Sequence, residues 1–139
     1  MKRVLIICTG NSCRSQMAEG WLRHYGKGMI AAHSAGTLPS VVNPSAIKVM
    51  MESGIDISKH RSKSVDEFVG SDLDYIITVC DHAKETCPVL PGKHTTMHMP
   101  FEDPVGFVGS EEEKLEKFRE VRGLVETAMK KFAEKILAS

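Results

Sequence analysis

The stretch Val4-Leu5-Ile6-Ile7-Cys8-Thr9-Gly10-Asn11-Ser12-Cys13-Arg14 decides how the rest of the chain is read. Four consecutive apolar residues closed by a polar loop have the pattern of a strand buried on both faces, as strands of parallel sheets are. After the loop, Met17, Ala18, Trp21, Leu22 and Tyr25 recur at helical spacing, and Gly26 and Gly28 close that segment in the manner of a C-cap. If a helix opens at Arg14, the amides between Gly10 and Arg14 point inward and meet the positive end of the helix dipole, where an anion is favoured. The same field favours the thiolate form of Cys8, which is the nucleophilic form of cysteine. One loop therefore pairs a nucleophile, Cys8, with an oxyanion cradle made of Thr9, Gly10, Asn11, Ser12, Cys13, Arg14 and Ser15. The rival reading, Cys8 as a small buried hydrophobe and Arg14 as a surface charge, leaves the Gly-Asn-Ser turn between them unexplained.

Outward from this loop the chain alternates. Met29 to His33 offers a second strand closed by Ser34-Ala35-Gly36, and Asn43-Pro44-Ser45 opens a helix that carries Ala46, Ile47, Val49 and Met50 and ends at Gly54. Ser64 to Val69 reads as a short helical stretch, Tyr75 to Val79 as a third strand rich in β-branched and aromatic residues, and Thr95 to Met99 as a fourth. From Glu111 to Leu137 a long amphipathic helix carries Phe118, Val121, Val125, Met129, Phe132 and Ile136. Alternating strands and helices imply an α/β fold with a parallel sheet, whose ligands bind at the carboxyl ends of the strands. Cys8 and Cys80 both lie at such ends.

The 139 residues suit one domain, spanning 1–139, large enough to bury a full core. Eighteen basic and eighteen acidic residues cancel, and no basic run or aromatic-interleaved stripe points to nucleic acid. The apolar stretch after Met1-Lys2-Arg3 is too short for a signal peptide, and no segment suits a membrane span, so a cytoplasmic protein is expected. In that compartment four cysteines read as reactive thiols, metal ligands or buried fillers rather than a disulfide framework.

Glu102-Asp103-Pro104 follows the last strand, at the sheet end where the anion is placed. Two readings of Asp103 stand level. A carboxyl beside a bound oxyanion is pushed toward its protonated form and can donate to a departing oxygen; an aspartate before proline also starts turns. Cys80 and Cys87 are seven apart in a segment of helix-compatible composition ended by Pro88. Seven helical residues rise roughly 10.5 Å, whereas a disulfide tolerates Cα separations only up to about 7 Å. If residues 80–87 are helical when reduced, joining these cysteines requires unwinding. Zinc is not expected, because no Cys-x-x-Cys pair exists. Cys13 reads as packing or loop support.

Cys8-Thr-Gly-Asn-Ser-Cys-Arg-Ser15, running on to Trp21, resembles the thioredoxin-coupled arsenate reductases, as do His33-Ser-Ala-Gly36, Asn43-Pro44, Gly54-Ile-Asp-Ile-Ser58, Cys80, Cys87-Pro88 and Asp103-Pro104. That family shares the fold of the low-molecular-weight tyrosine phosphatases, a three-layer arrangement with a four-stranded parallel sheet flanked by helices. The resemblance implies that Cys8 attacks arsenate held by Arg14 and the loop amides, with phosphate and sulfate as competing anions. Ser15 hydrogen-bonds the Cys8 thiolate and Asp103 protonates the leaving oxygen. Cys80 then attacks Cys8 and releases arsenite, Cys87 attacks Cys80, and thioredoxin reduces the last disulfide. A monomer is expected, with no cofactor, no bound metal, and no nucleic-acid or membrane partner. Some members bind potassium at positions that correspond here to Asn11, Glu19, Ser34 and a pair now occupied by Arg61 and Lys63. The Lys63 ammonium, a compact point charge, is expected to replace the ion near Glu19. The alternative is a tyrosine or arginine phosphatase of the same fold. Cys80 and Cys87 tell against it, as does Val105-Gly106-Phe107 in place of aromatic residues directly after Asp103-Pro104.

Overall fold

Val4, Leu5, Ile6 and Ile7 are fully buried, and the strand that holds them, β1 (Lys2–Cys8), has a partner on each side. The computed structural model describes residues 1–80, 90 and 92–138. β2 (Ile30–Gly36) pairs with one edge of β1 and β3 (Tyr75–Thr78) with the other, and β4 (Thr95–His98) lies outside β3. All three pairings are parallel, in the order β2-β1-β3-β4. The chain thus moves off β1 in opposite directions toward β2 and β3. The crevice at the carboxyl ends of β1 and β3 is a topological switch point, where open α/β sheets bind ligands.

Side chains alternate across β2 and show what covers each face. Ser34 reaches Glu19 of α1 (Arg14–Gly26) on one side, while His33 meets Phe68 of the 3-10 turn Val65–Phe68 on the other, with ring centroids 5.5 Å apart. α2 (Pro44–Glu52) begins with Pro44 at its first position, and its Asn43 cap accepts from Ser45 N. α3 (Glu111–Ala138) opens with a reciprocal capping box in which Ser110 Oγ accepts from Glu113 N and Glu113 Oε1 from Ser110 N. It buries the expected stripe from Phe118 to Ile136. Tyr75 of β3 meets Phe132 edge to face, and Arg122 ties α3 to α2 through the Val49 carbonyl at 2.7 Å.

The elements agree with the sequence reading in order among the described residues, and several boundaries differ: β1 begins at Lys2, β3 stops at Thr78 before Val79, β4 at His98 before Met99, and α2 at Glu52. Ser34-Ala35-Gly36 extends β2 instead of closing it, in register with Ile6, Ile7 and Cys8. Met29 lies outside the strand and is exposed. At the end of α1 the left-handed cap position is taken by Lys27 (φ 50°), while Gly26 remains helical. The helix read into residues 80–87 falls on positions outside the described residues, apart from Cys80. Among the described residues no helix is long and apolar enough to cross a membrane.

Candidate active site

The loop between β1 and α1 is held by its carbonyl groups. Cys8 O accepts from Thr37 N, Thr9 O from Leu38 N, Gly10 O from Ser40 N, Ser12 O from Asn43 N and Cys13 O from Met17 N, at 2.8 to 3.2 Å. Asn11 O accepts from Ser62 Oγ at 2.7 Å and from Gln16 Nε2 at 3.1 Å. Six successive carbonyls are thus engaged by residues 37–43, by Ser62 or by the helix behind them. A loop whose carbonyls face outward leaves its amides for the concave side, which is the geometry of an anion nest. The glycine that this close packing demands is Gly36. A Cβ there would stand 2.5 Å from Thr9 O and 2.8 Å from Asn11 N, whereas at Gly10 the nearest approach is 3.3 Å, to Ser40 Oγ.

Inside the turn, Asn11 is fully buried and adopts the left-handed conformation (φ 48°), which asparagine tolerates better than most residues. Its Nδ2 donates to Ser15 Oγ at 2.9 Å, and Ser15 Oγ lies 2.8 Å from Cys8 Sγ. Cys8 is buried and its thiol is free. Thr9 Oγ1 lies 3.3 Å from Cys80 Sγ, so the sulfur just past β3 reaches the loop that begins at the end of β1. Cys13 caps α1 without a side-chain hydrogen bond. Burial, reinforced by the Asp103 charge, pushes its thiol far above the ordinary cysteine range.

Arg14 Nη1 donates to the Phe101 carbonyl at 3.0 Å, and its Nη2 lies 3.6 Å from Asp103 Oδ2. Asp103 Oδ1 also accepts from Val105 N at 3.0 Å and so caps the 3-10 turn Pro104–Gly106. The turn reading of Asp103 matches the structure: the turn fixes the carboxylate, and the fixed carboxylate faces the arginine. Cys8, Arg14, Ser15, Cys80 and Asp103 are therefore gathered at the switch point. Cys87 lies outside the described residues.

Behind the loop, the Glu19 carboxylate is 2% exposed. It accepts from Ser34 Oγ at 2.8 Å and lies 3.2 Å from Arg23 Nη2, 3.3 Å from His60 Nδ1 and 3.8 Å from Lys63 Nζ. Burial lowers the proton affinity of both His60 and Lys63, and the Glu19 charge opposes that. A carboxylate already flanked by an ammonium and a guanidinium does not fit a monovalent metal ion. Of the expected cationic pair only Lys63 turns toward Glu19; Arg61 pairs at the surface with Glu67, at 2.7 Å. Sequence reasoning missed Gln16, His60 and Ser62, which support the loop from behind. A signal existed for one of them. Gln16 and Glu19 are polar residues among the apolar positions of α1, and both are buried.

A thiol on an anion nest, faced by an arginine and a turn-fixed aspartate at the switch point of a parallel sheet, defines a class of proteins that handle tetrahedral oxyanions by cysteine nucleophiles. A family model for low molecular weight phosphotyrosine protein phosphatase matches residues 3–139, and the chain belongs to that family. It is 43% identical over 133 residues, 96% of each chain, to an arsenate reductase of Halalkalibacterium halodurans. Among solved structures it resembles an arsenate reductase in the phosphate binding state, with TM-score 0.81, 38% identity and coverage of 98% of this chain and 99% of that one. It also resembles the tyrosine phosphatase Wzb of Escherichia coli K30 in complex with sulphate, with TM-score 0.79, 28% identity and coverage of 97% and 98%.

Proposed function

We propose that the protein reduces arsenate to arsenite through a relay of three cysteines regenerated by thioredoxin. In this reading Arg14 and the loop amides hold the oxyanion above Cys8. The Cys8 thiolate bonds to arsenic, and one oxygen leaves as water with a proton from Asp103. Cys80 then attacks Cys8 Sγ: a sulfur–sulfur bond forms, the sulfur–arsenic bond breaks, and its electron pair stays on arsenic, which departs as arsenite. Cys87 attacks Cys80 and frees Cys8, and the dithiol of thioredoxin takes over the disulfide and is itself oxidised. Two thiols lose two electrons, and arsenic gains two.

The observation that carries this reading is the approach of Cys80 Sγ to Thr9 Oγ1, 3.3 Å apart, inside the loop that begins with Cys8. Ester hydrolysis would need Cys8, Arg14 and Asp103 but has no use for a second thiol at that place. The kinship with arsenate reductases over 96% of the chain, and with one solved in the phosphate binding state, supports the same substrate class. The test is arsenate-dependent oxidation of a thioredoxin system by the wild type, Cys80→Ser and Cys87→Ser. Each substitution is expected to lower steady-state turnover at least about a hundredfold, because it removes an attacking sulfur. Undiminished turnover in both would overturn the relay.

A further inference from the structure

A buried chain of polar groups runs from Glu19 to Cys8, and its donors and acceptors can be assigned in one direction. Asn11 Oδ1 accepts from the Lys63 amide at 2.9 Å, which fixes Asn11 Nδ2 as the donor to Ser15 Oγ at 2.9 Å. A hydroxyl has one hydrogen. With its oxygen accepting from Asn11, the Ser15 hydrogen is left for Cys8 Sγ, 2.8 Å away. The same logic fixes Gln16. The nitrogen of its amide faces two backbone carbonyls, Asn11 O at 3.1 Å and Arg61 O at 3.0 Å, as well as Asn11 Oδ1 at 3.0 Å. Its oxygen accordingly accepts from His60 Nδ1 at 2.9 Å. Because His60 Nδ1 also faces the Glu19 carboxylate at 3.3 Å, it carries a hydrogen whether the ring is neutral or charged.

Gln16 and Asn11 are fully buried, so any donor or acceptor that loses its partner here is left without water to replace it. We propose that Gln16 and His60 are positioning residues for the nucleophile: they lock Asn11 in its left-handed turn and orient the Asn11–Ser15 pair so that a hydrogen bond is donated to the Cys8 sulfur. Such a bond favours the thiolate over the thiol. The strained turn at Asn11 persists because the surrounding bonds determine it completely. This inference rests on the reading of Cys8 as nucleophile.

The test measures alkylation of Cys8 by iodoacetamide, mapped by peptide mass spectrometry, at about pH 7 and about pH 9.5, on either side of the ordinary cysteine range. The variants are Gln16→Met, which keeps volume without polar atoms, His60→Leu, which removes the donor, and His60→Asn, whose amide nitrogen can stand near the place of Nδ1. Gln16→Met and His60→Leu are expected to slow the reaction about tenfold near pH 7, the loss of one charge-assisted hydrogen bond, and to leave it within about twofold at the higher pH. His60→Asn is expected to stay within about twofold of the wild type at both. A wild-type pH profile in both Gln16→Met and His60→Leu, or equal slowing at both pH values, overturns the proposal. Should Gln16→Met fail to fold, His60→Leu decides alone, since the His60 side chain, at 12% exposure, is less deeply enclosed than the fully buried Gln16. Failure of the underlying reading gives a separate result. Wild-type protein fully alkylated at Cys8 would then still turn over arsenate, while the alkylation ratios would continue to report on the positioning.

Discussion

Cys8 and Cys13 belong to the same loop, and their surroundings give them different chemistry. Cys8 faces the Ser15 hydroxyl at 2.8 Å, whereas Cys13 packs without a side-chain cap and is driven toward its protonated form by burial. Iodoacetamide near neutral pH is therefore expected to label Cys8 and to spare Cys13 in the folded protein, with both labelled after denaturation. Peptide mapping checks this, and labelling of Cys13 at the rate of Cys8 would contradict it. At this scale the sequence was readable wherever chemistry forced a spacing. Cys8, Arg14 and Ser15 were singled out because the proposed nucleophile and anion cradle must share one turn, and the structure brings the three together. Gln16, His60 and Ser62 were not readable, because their roles depend on partners brought close only by folding: the Gln16–His60 contact spans 44 positions and the Ser62–Asn11 contact 51.

Among the elements, β2 shows how a local signal is overruled. Ser34-Ala35-Gly36 has the composition of a turn, yet it continues the strand because the loop after β1 lies directly against its end. Small residues are required there for a reason outside the strand. Gly36→Ala would drive a methyl group into the Thr9 carbonyl and the Asn11 amide, both backbone atoms of a loop fixed by six carbonyl contacts. We expect it to destabilise the fold by about 2 kcal/mol or more and to weaken binding of phosphate or sulfate. Denaturant unfolding and calorimetric anion titration measure the two effects. Unchanged stability and unchanged binding together would show that the loop yields. The helices were easier to read, because the α3 stripe and the α2 start signal are carried by the elements themselves.

At the scale of the molecule, the strand order places the end of β1 between its two neighbours, and this brings Cys80 to the loop of Cys8. The general rule for parallel sheets made that much legible before any side chain was positioned. The same architecture buries two imidazoles on its way to the site. His33 packs on Phe68 and His60 lies behind the thiol loop, and burial lowers both below the ordinary value of 6.5. The unfolded chain therefore binds protons near pH 6 that the folded chain refuses. Stability is full above 6.5 and falls as the pH drops below it. Of thermal melts at about pH 7.5 and about pH 5.5, the acidic sample should melt at the lower temperature. Replacing both histidines with asparagine should flatten that difference, and an unaltered slope would place the acid sensitivity elsewhere.

Residues 37 to 43 grip the thiol loop through their own amides, from Thr37, Leu38, Ser40 and Asn43, and their side chains take little part. Leu38, Pro39 and Val41 all project into solvent. A grip made of main chain is indifferent to which amino acids supply it, proline at a donor position excepted. Mutation can therefore sample new side chains at the mouth of the crevice while the anion seat beneath keeps its shape. The loop's hydrogen bonds are thus decoupled from the chemistry of its rim, and a substitution that alters the rim need not disturb the main-chain bonds beneath it.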